Sequence, residues 1–470
     1  MSDWDVYQSP FSWRYGSPEM RRIWSEAEKR RLWRRIWLAL AETQAQFGLV
    51  SEDQLSDLRR NVDNIDLKRA LEIEAEIHHD LMAELKTFAE QSPLGGAVLH
   101  LGATSMDIED NAEALRLRAA LDLILQHLRE LLQSFTERIE QTADLPLIGF
   151  THLQPAEPST LGYRLAFYAQ DLFSQWQSLR ELREELRGKG FKGAVGTAAA
   201  YADLIGLEDL PRFEETLSRK LNLPFYPVTS QVAPRIQEYR LVSQLAGLGA
   251  VLNKFAFDLR FLQSPPVGEW QEPFGRQQVG SSAMPFKRNP IMAEKINSLA
   301  RALANLPQVA WDNAAYSLLE RTLDDSANRR SLLPESFLIT EEILITSKRI
   351  VKGLQINEAA IRRNVQRYAP FAVTERVLMA LVKQGADRQV MHERLRTHSL
   401  TAWQAVQNGE ENPLVDLLCG DEQIGGVLGT DHIEQLMRLD AYLGIAPQRA
   451  RQMAAYIRTA IQDKAEEHGV

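Results

Sequence analysis

Apolar residues recur at three- and four-residue spacing over unusually long stretches of this chain, and that periodicity limits the folds open to it. From Thr160 to Leu186 the sequence TLGYRLAFYAQDLFSQWQSLRELREEL places Leu, Phe, Tyr and Trp on one helical face, with Glu, Arg and Gln between them. Similar patterns run from about Leu115 to Glu140, Glu238 to Leu262, Ala293 to Ala314 and Ser331 to Leu354. Each spans roughly 22 to 26 residues, longer than the usual globular helix. Several helices of similar length pack as a bundle. Alternating Val/Ile/Thr runs closed by Asn-Gly or Asp-Gly are scarce, so a substantial sheet is not expected. The reading is an all-α fold.

Composition narrows the setting. Hydrophobic residues make up 44% and charged residues 25%, the ordinary balance of a globular chain rather than a disordered one. The one cysteine, Cys419, excludes an intramolecular disulfide and a Cys-rich zinc site, which suits a reducing, cytoplasmic setting. The N-terminal MSDWDVYQSPFSWRYGSPEM lacks the basic and apolar regions of a signal peptide. No stretch reaches about 18 uninterrupted apolar residues, so no membrane association is expected. With 54 Lys+Arg against 63 Asp+Glu the net charge is −9, which offers no broad footprint for nucleic acid. An anionic ligand must therefore be met by a local cluster of cations.

Gly- and Pro-containing segments between the helices hold most of the chemistry: residues 9–20, 99–111, 147–160, 188–197 and 264–290. Soft boundaries near residues 111 and 364 suggest three domains. These are an N-terminal helical domain (1–111), a central long-helix bundle (112–364) and a C-terminal helical domain (365–470). The segment Gly280–Pro290 joins small residues to a Lys287-Arg288 cation pair, then starts a helix at Asn289-Pro290. By spacing alone it reads as a loop closing on an anion or, equally, as a surface loop with a good helix start.

GSSAMPFKRNPIMAE (280–294) resembles the signature loop of the fumarase/aspartase superfamily: a serine pair, Met-Pro, Lys, Asn and a following Glu. LHLGATSMDIEDN and GFTHLQPAEPSTLG resemble two further superfamily stretches, in the expected order. SPFSWRYGSPEM, KGFKGAVGT, EPFGRQQVGSSAMPFKRNP, LERTLDDSANRR and PFAVTERVLMALVKQGADRQVMHERLR resemble segments of the adenylosuccinate lyase family within it. That resemblance implies elimination of fumarate from adenylosuccinate, giving AMP, and from the succinylated carboxamide (SAICAR-type) intermediate of purine synthesis. It also implies a fumarase/aspartase-like homotetramer whose active sites draw residues from three subunits.

Elimination needs a base to remove a proton next to a carboxylate and an acid to protonate the departing nitrogen. By resemblance Ser281 is the base and His152 the acid, with Glu294 orienting the imidazole. A serine hydroxyl serves as base only where water is expelled and donors surround the oxygen, a task for Lys287, Asn289 and backbone N–H groups. The resemblance assigns His79 and Asp80 to the substrate pocket, with His78 standing where the family often has a stronger cation. The sequence alone places His79 and Asp80 on a helix pattern. Thr104, Ser105, Thr151 and Gln231 offer donors to carboxylates. By the same resemblance Arg14, Tyr15, Arg321, Ser326 and Arg330 form the nucleotide phosphate anchor. Ser326 and Arg330 are four apart, hence on one face if the segment is helical.

Two departures stand out. Met292 and Lys295 occupy positions where many close relatives have arginines, and Lys295 would meet substrate as a point charge. After Gln231 the chain keeps only Arg235 and an acid of a more charged run. No metal and no redox cofactor are expected, since the nine His are scattered and the Gly-rich GKGFKGAVG follows no strand. The rival readings are another superfamily lyase, such as argininosuccinate lyase or one acting on a different succinylated purine, and an inactive helical scaffold. The anchor Arg14, Tyr15, Arg321 and Arg330 discriminates against the first; retention of Ser281, His152, Lys287 and Glu294 argues against the second.

Overall fold

The computed structural model describes residues 5–438 and 442–466. The elements that position the site are α1 (Glu26–Ala45), α2 (Leu67–Ile77), α3 (Asp80–Gln91), α4 (Ser105–Gln141), β1 (Pro146–Thr151), β2 (Gln154–Thr160), α5 (Leu161–Glu185), α6 (Ile236–Gln263), α7 (Ile291–Leu303), α8 (Leu306–Ala315), α9 (Asp324–Gly353) and α10 (Arg388–Gln407). The fold is all-α, as the periodicity predicts. The described strands form a two-stranded hairpin, β1–β2, and a short antiparallel ladder of Trp270–Gln271 with Gln355–Ile356.

Local chemistry explains where the helices differ from the periodic pattern. The expected helix from Ala293 to Ala314 is two, α7 and α8, because Pro307 in the first turn of α8 cannot donate to a preceding carbonyl. The helix expected from Ser331 begins at Asp324, where Asp324 and Asp325 complement the positive N-terminal end. The helix pattern through His79 and Asp80 is corrected. Helix α2 stops at Ile77, His78 turns into the left-handed region at φ 55°, and α3 restarts at Asp80 with His79 as its cap. This corner aims the two histidines differently from a continuous helix.

The chain divides into two compact units. Residues 1–128, 175–250 and 298–345 form the first; residues 129–174, 251–297 and 346–470 form the second. Helices α4, α5, α6, α7 and α9 each contribute residues to both. The first unit's core joins Trp33, Trp37 and Leu40 of α1 to Phe88 of α3, with Phe191, Tyr201 and Phe213 stacked alongside. Arg30 and Arg34 are buried in that region and both pair with Glu84. In the second unit, Val377, Leu381, Leu395, Leu414 and Leu418 form a separate apolar cluster. There the buried Glu269 accepts from Arg164 at 3.1 Å and from Asn364 at 3.0 Å, tying α5 to the C-terminal helices.

Candidate active site

The first unit contains a cavity of about 480 Å³. His78, His79, Asp80, Thr104, Ser105 and Gln231 line it, together with Arg321, Ser326 and Arg330, so residues far apart in sequence share one space. Thr104 and Ser105 stand at the start of α4, where the positive end of the helix dipole favours an anion. Ser105 Oγ lies 3.4 Å from His79 Nε2. Ser326 and Arg330 sit one turn apart on α9, as the four-residue spacing predicts. Arg330 Nη2 donates to Asp80 Oδ2 at 2.9 Å, with the arginine side chain 58% exposed and available to a second acceptor. Burial opposes ionisation of Asp80, but Lys29, Arg330 and the Leu81 N–H outweigh it and hold the carboxyl below its usual range.

Buried ion pairs hold the walls of this cavity in place. Asp107, in the first turn of α4, is fully buried and accepts from Thr104 N, Lys192 N, Gly193 N and the Tyr201 hydroxyl, and pairs with the fully buried Lys189. The Gly-rich 188–197 segment therefore serves as a clamp on the start of α4. Arg235 reaches Asp110 at 3.0 Å and Asp325 at 2.7 Å, while Arg329 bridges to Glu238 at 2.6 Å. These pairs lock the segment after Gln231 to α4 and α9. The reduced charge of that segment thus still supplies a structural anchor.

Arg14 and Tyr15 do not line the cavity. They lie on an N-terminal arm, Arg14 against the Trp13 ring at 5.5 Å and Tyr15 against Phe11 at 5.7 Å. The buried Glu341 of α9 holds this arm by accepting from Ser17 N at 2.6 Å and from Ser17 Oγ at 2.9 Å. His127 Nε2 lies 3.1 Å from Oε1, the oxygen that also accepts from Ser17 Oγ. Gly16 has φ +77°, and a Cβ there would meet Leu338 at 2.5 Å, so glycine lets the arm turn against α9.

The second unit carries Thr151, His152, Ser281, Lys287, Asn289, Glu294 and Lys295. Thr151 pairs with Gln154 at the end of the β1–β2 hairpin, leaving His152 and Leu153 as a two-residue turn with φ 52° and 59°. Both residues are exposed. Ordinarily such a turn takes Asn-Gly or similar residues. Ser281 Oγ accepts from Ala283 N at 3.3 Å and Met284 N at 3.1 Å, and Lys287 is exposed on the same loop. Asn289 donates to the Gly280 carbonyl at 3.0 Å, and a Cβ on Gly280 would collide with the Lys287 carbonyl at 2.1 Å. The loop therefore closes on itself only with glycine at that position. The buried Glu272 anchors its far end, accepting from Met292 N and Ala293 N at 3.1 Å at the start of α7. Met292 is buried there. Glu294 is exposed, with Arg260 at 3.9 Å, and Lys295 is half-buried.

Lys29 of α1 and Glu109 of α4 also line the cavity, although the resemblance gives neither a role. The sequence holds two clues to Glu109: it falls within the LHLGATSMDIEDN stretch (99–111), and it lies one turn after Ser105 on the same face. Among the described residues no group of three or more His, Cys, Asp or Glu forms a metal-binding set. No described helix is long and apolar enough to cross a membrane.

Comparison with known proteins supplies the family. Residues 14–304 match the lyase family, and residues 370–453 match the adenylosuccinate lyase C-terminus. Adenylosuccinate lyase of Saccharomyces cerevisiae is 35% identical over 457 residues, covering 96% of this chain and 94% of the yeast protein. The Archaeoglobus fulgidus adenylosuccinate lyase is 33% identical, covering 96% of this chain and 99% of its own. Among solved structures, a fumarate lyase from Mesorhizobium sp. BNC1 shares the fold with a TM-score of 0.82 at 24% identity, over 96% of this chain and 99% of its own. The 3-carboxy-cis,cis-muconate lactonizing enzyme of Pseudomonas putida gives a TM-score of 0.84 at 26% identity, over 96% and 100% of the two chains. Because the likeness runs through both the lyase body and the specialised C-terminal region, the chain belongs to the adenylosuccinate lyase family.

Proposed function

We propose that this chain is an adenylosuccinate lyase, releasing fumarate from adenylosuccinate to leave AMP and acting likewise on the succinylcarboxamide (SAICAR-type) intermediate. The observation that carries this reading is the grouping of His79, Thr104, Ser105, Gln231, Arg321, Ser326 and Arg330 around one cavity in a member of this family. Hydroxyls, a side-chain amide and backbone N–H groups face its α4 end, and guanidinium groups face its α9 side. A ligand with carboxylates and a phosphate requires this combination of donors.

In this reading Ser281 removes the proton next to a succinyl carboxylate. The two N–H groups directed at its Oγ stabilise negative charge on that oxygen, while Lys287 and Asn289 meet charge developing on the substrate. His152, on an exposed turn, protonates the departing nitrogen, with Glu294 orienting it. Thr104, Ser105, Thr151 and Gln231 hold the carboxylates, with Lys295 adding one point charge. Arg14, Tyr15, Arg321, Ser326 and Arg330 hold the phosphate, and His78, His79 and Asp80 shape the reacting end. No cofactor takes part.

Homotetramer assembly belongs to the same reading. It is supported by exposed Tyr163 and Phe167 on α5 and Phe257 on α6, apolar side chains that a subunit contact would cover. A cytoplasmic setting fits the single cysteine. We also assign three domains with boundaries near residues 111 and 364. The deciding experiment follows the ultraviolet spectrum of purified protein with adenylosuccinate and identifies products by chromatography. Equal amounts of AMP and fumarate are expected, and absence of both overturns the assignment.

A further inference from the structure

Six carboxylates line the cavity of the first unit, and five of them have cationic partners. Glu26 pairs with Lys29, Glu74 with Arg30, Asp80 with Arg330, Asp110 with Arg235 and Glu113 with Arg116. Glu109 alone has neither an ion pair nor a hydrogen bond among the described residues. It stands one turn along α4 from Ser105 and faces the same cavity. Around it are Lys29 from α1, Asp80 from α3, Asp110 and Glu113 on its own helix, Arg329 and Arg330 from α9, and His78 and His79 at the α2–α3 corner. Burial, then Asp80 and Asp110, push its carboxyl up to about 8, with Lys29 and Arg329 opposing.

An ionised Glu109 would put an unpaired negative charge in the cavity proposed to receive a phosphate and two carboxylates. A protonated one removes that repulsion and supplies an O–H donor with a carbonyl acceptor beside it. We propose that Glu109 is a specificity-determining residue of this pocket, one that binds a proton in order to admit the anionic nucleotide and donates a hydrogen bond to its nucleoside portion. The inference rests on the lyase reading for the identity of the ligand. Its chemistry asks only for a purine nucleoside monophosphate, whose ring nitrogens and ribose oxygens accept such a bond. The proton comes from solvent when the ligand binds above the carboxyl's pKa.

The test uses the intact protein and two probes. The dissociation constant of AMP is measured by calorimetry, and the KM for adenylosuccinate by fumarate release, each at pH 7 and pH 9. The phosphate, with its second pKa near 6, is about nine-tenths dianionic at pH 7 and changes little up to pH 9. With one required proton and a pKa of about 8, both constants should rise about 10-fold in the wild type between these pH values. Glu109→Gln keeps a donor and an acceptor without titrating, so its constants should stay within about twofold across the range. Glu109→Met, uncharged but without a donor, should be equally flat and weaker at both pH values. A wild-type rise reproduced in Glu109→Gln overturns the proposal, as does a wild type that does not change. If the wild type releases no fumarate at pH 7 yet AMP affinity follows the expected pattern, the lyase reading fails while the role of Glu109 stands.

Discussion

Replacing Asp107 by asparagine preserves the shape of the side chain and removes the charge that balances the Lys189 ammonium. Both residues have 0% of their surface exposed, so water cannot solvate the lysine once its counter-ion is gone. Breaking a buried pair from one side costs about 3–5 kcal/mol. The loss is aggravated because Asp107 is surrounded by donors from Thr104, Lys192, Gly193 and Tyr201, and the new amide would turn its own N–H groups toward some of them. The first compact unit has roughly 250 residues, for which the entropy of unfolding is about 0.5 kcal/mol per degree. The melting temperature should therefore fall by about 6–10 °C, read by calorimetry and by the onset of proteolysis in that unit. Adding Lys189→Met removes both charges and should restore a large part of the loss, since a buried pair replaced as a unit is often nearly neutral. A fall of less than about 2 °C, or a double variant no better than Asp107→Asn alone, would refute the view that this pair clamps the start of α4.

Ser281→Ala should lower kcat by a factor of about 10² to 10⁴ while leaving AMP affinity intact, and near-normal turnover would remove Ser281 as the base. Arg330→Ala should raise the KM for adenylosuccinate about 10- to 100-fold through loss of one charge-assisted contact, and an unchanged KM would count against the phosphate anchor. Glu341→Gln weakens the hold on Ser17, so trypsin should cut at Arg14 sooner than in the wild type; equal cleavage rates would show that the arm is held elsewhere. Burial pushes the Asp421 carboxyl up, but hydrogen bonds from Arg394, His398 and the Gln423 and Ile424 N–H groups prevail and hold it far below the usual range. A depressed carboxyl stabilises the fold above its unfolded pKa near 4 and loses that contribution as pH falls toward its folded value. Asp421→Asn should thus melt earlier than wild type at pH 7, with the gap narrowing as the pH falls below 4; a gap independent of pH would contradict the linkage.

Helix identity was legible wherever the apolar spacing was sustained, as in α5 and α6, because burying one face of a long helix outweighs local preferences. Boundaries were less legible. Pro307 splits one expected helix and His78 another, both through backbone geometry that periodicity does not register. The hairpin carrying His152 escaped notice because its strands contain Pro155 and Pro158 and its turn has no glycine. Motif order in the sequence named the candidate residues but not their grouping. That grouping depends on pairs such as Arg235 with Asp325, 90 positions apart, and on Glu341 reaching back to Ser17. Glu109 was missed for the opposite reason: it has no partner, and an acid on a helix face ordinarily reads as solvated.

The His152–Leu153 turn has one more consequence. Two side-chain-bearing residues held in the left-handed region together cost on the order of 1–3 kcal/mol apiece relative to relaxed backbone. Selection for thermal endurance alone would replace them with Asn-Gly, and the hairpin would gain by the exchange. Under the proposed role of His152 as the acid, an imidazole at the apex trades resilience for reactivity. A library screened only for heat tolerance should drift first at these two positions, shedding turnover as it gains robustness.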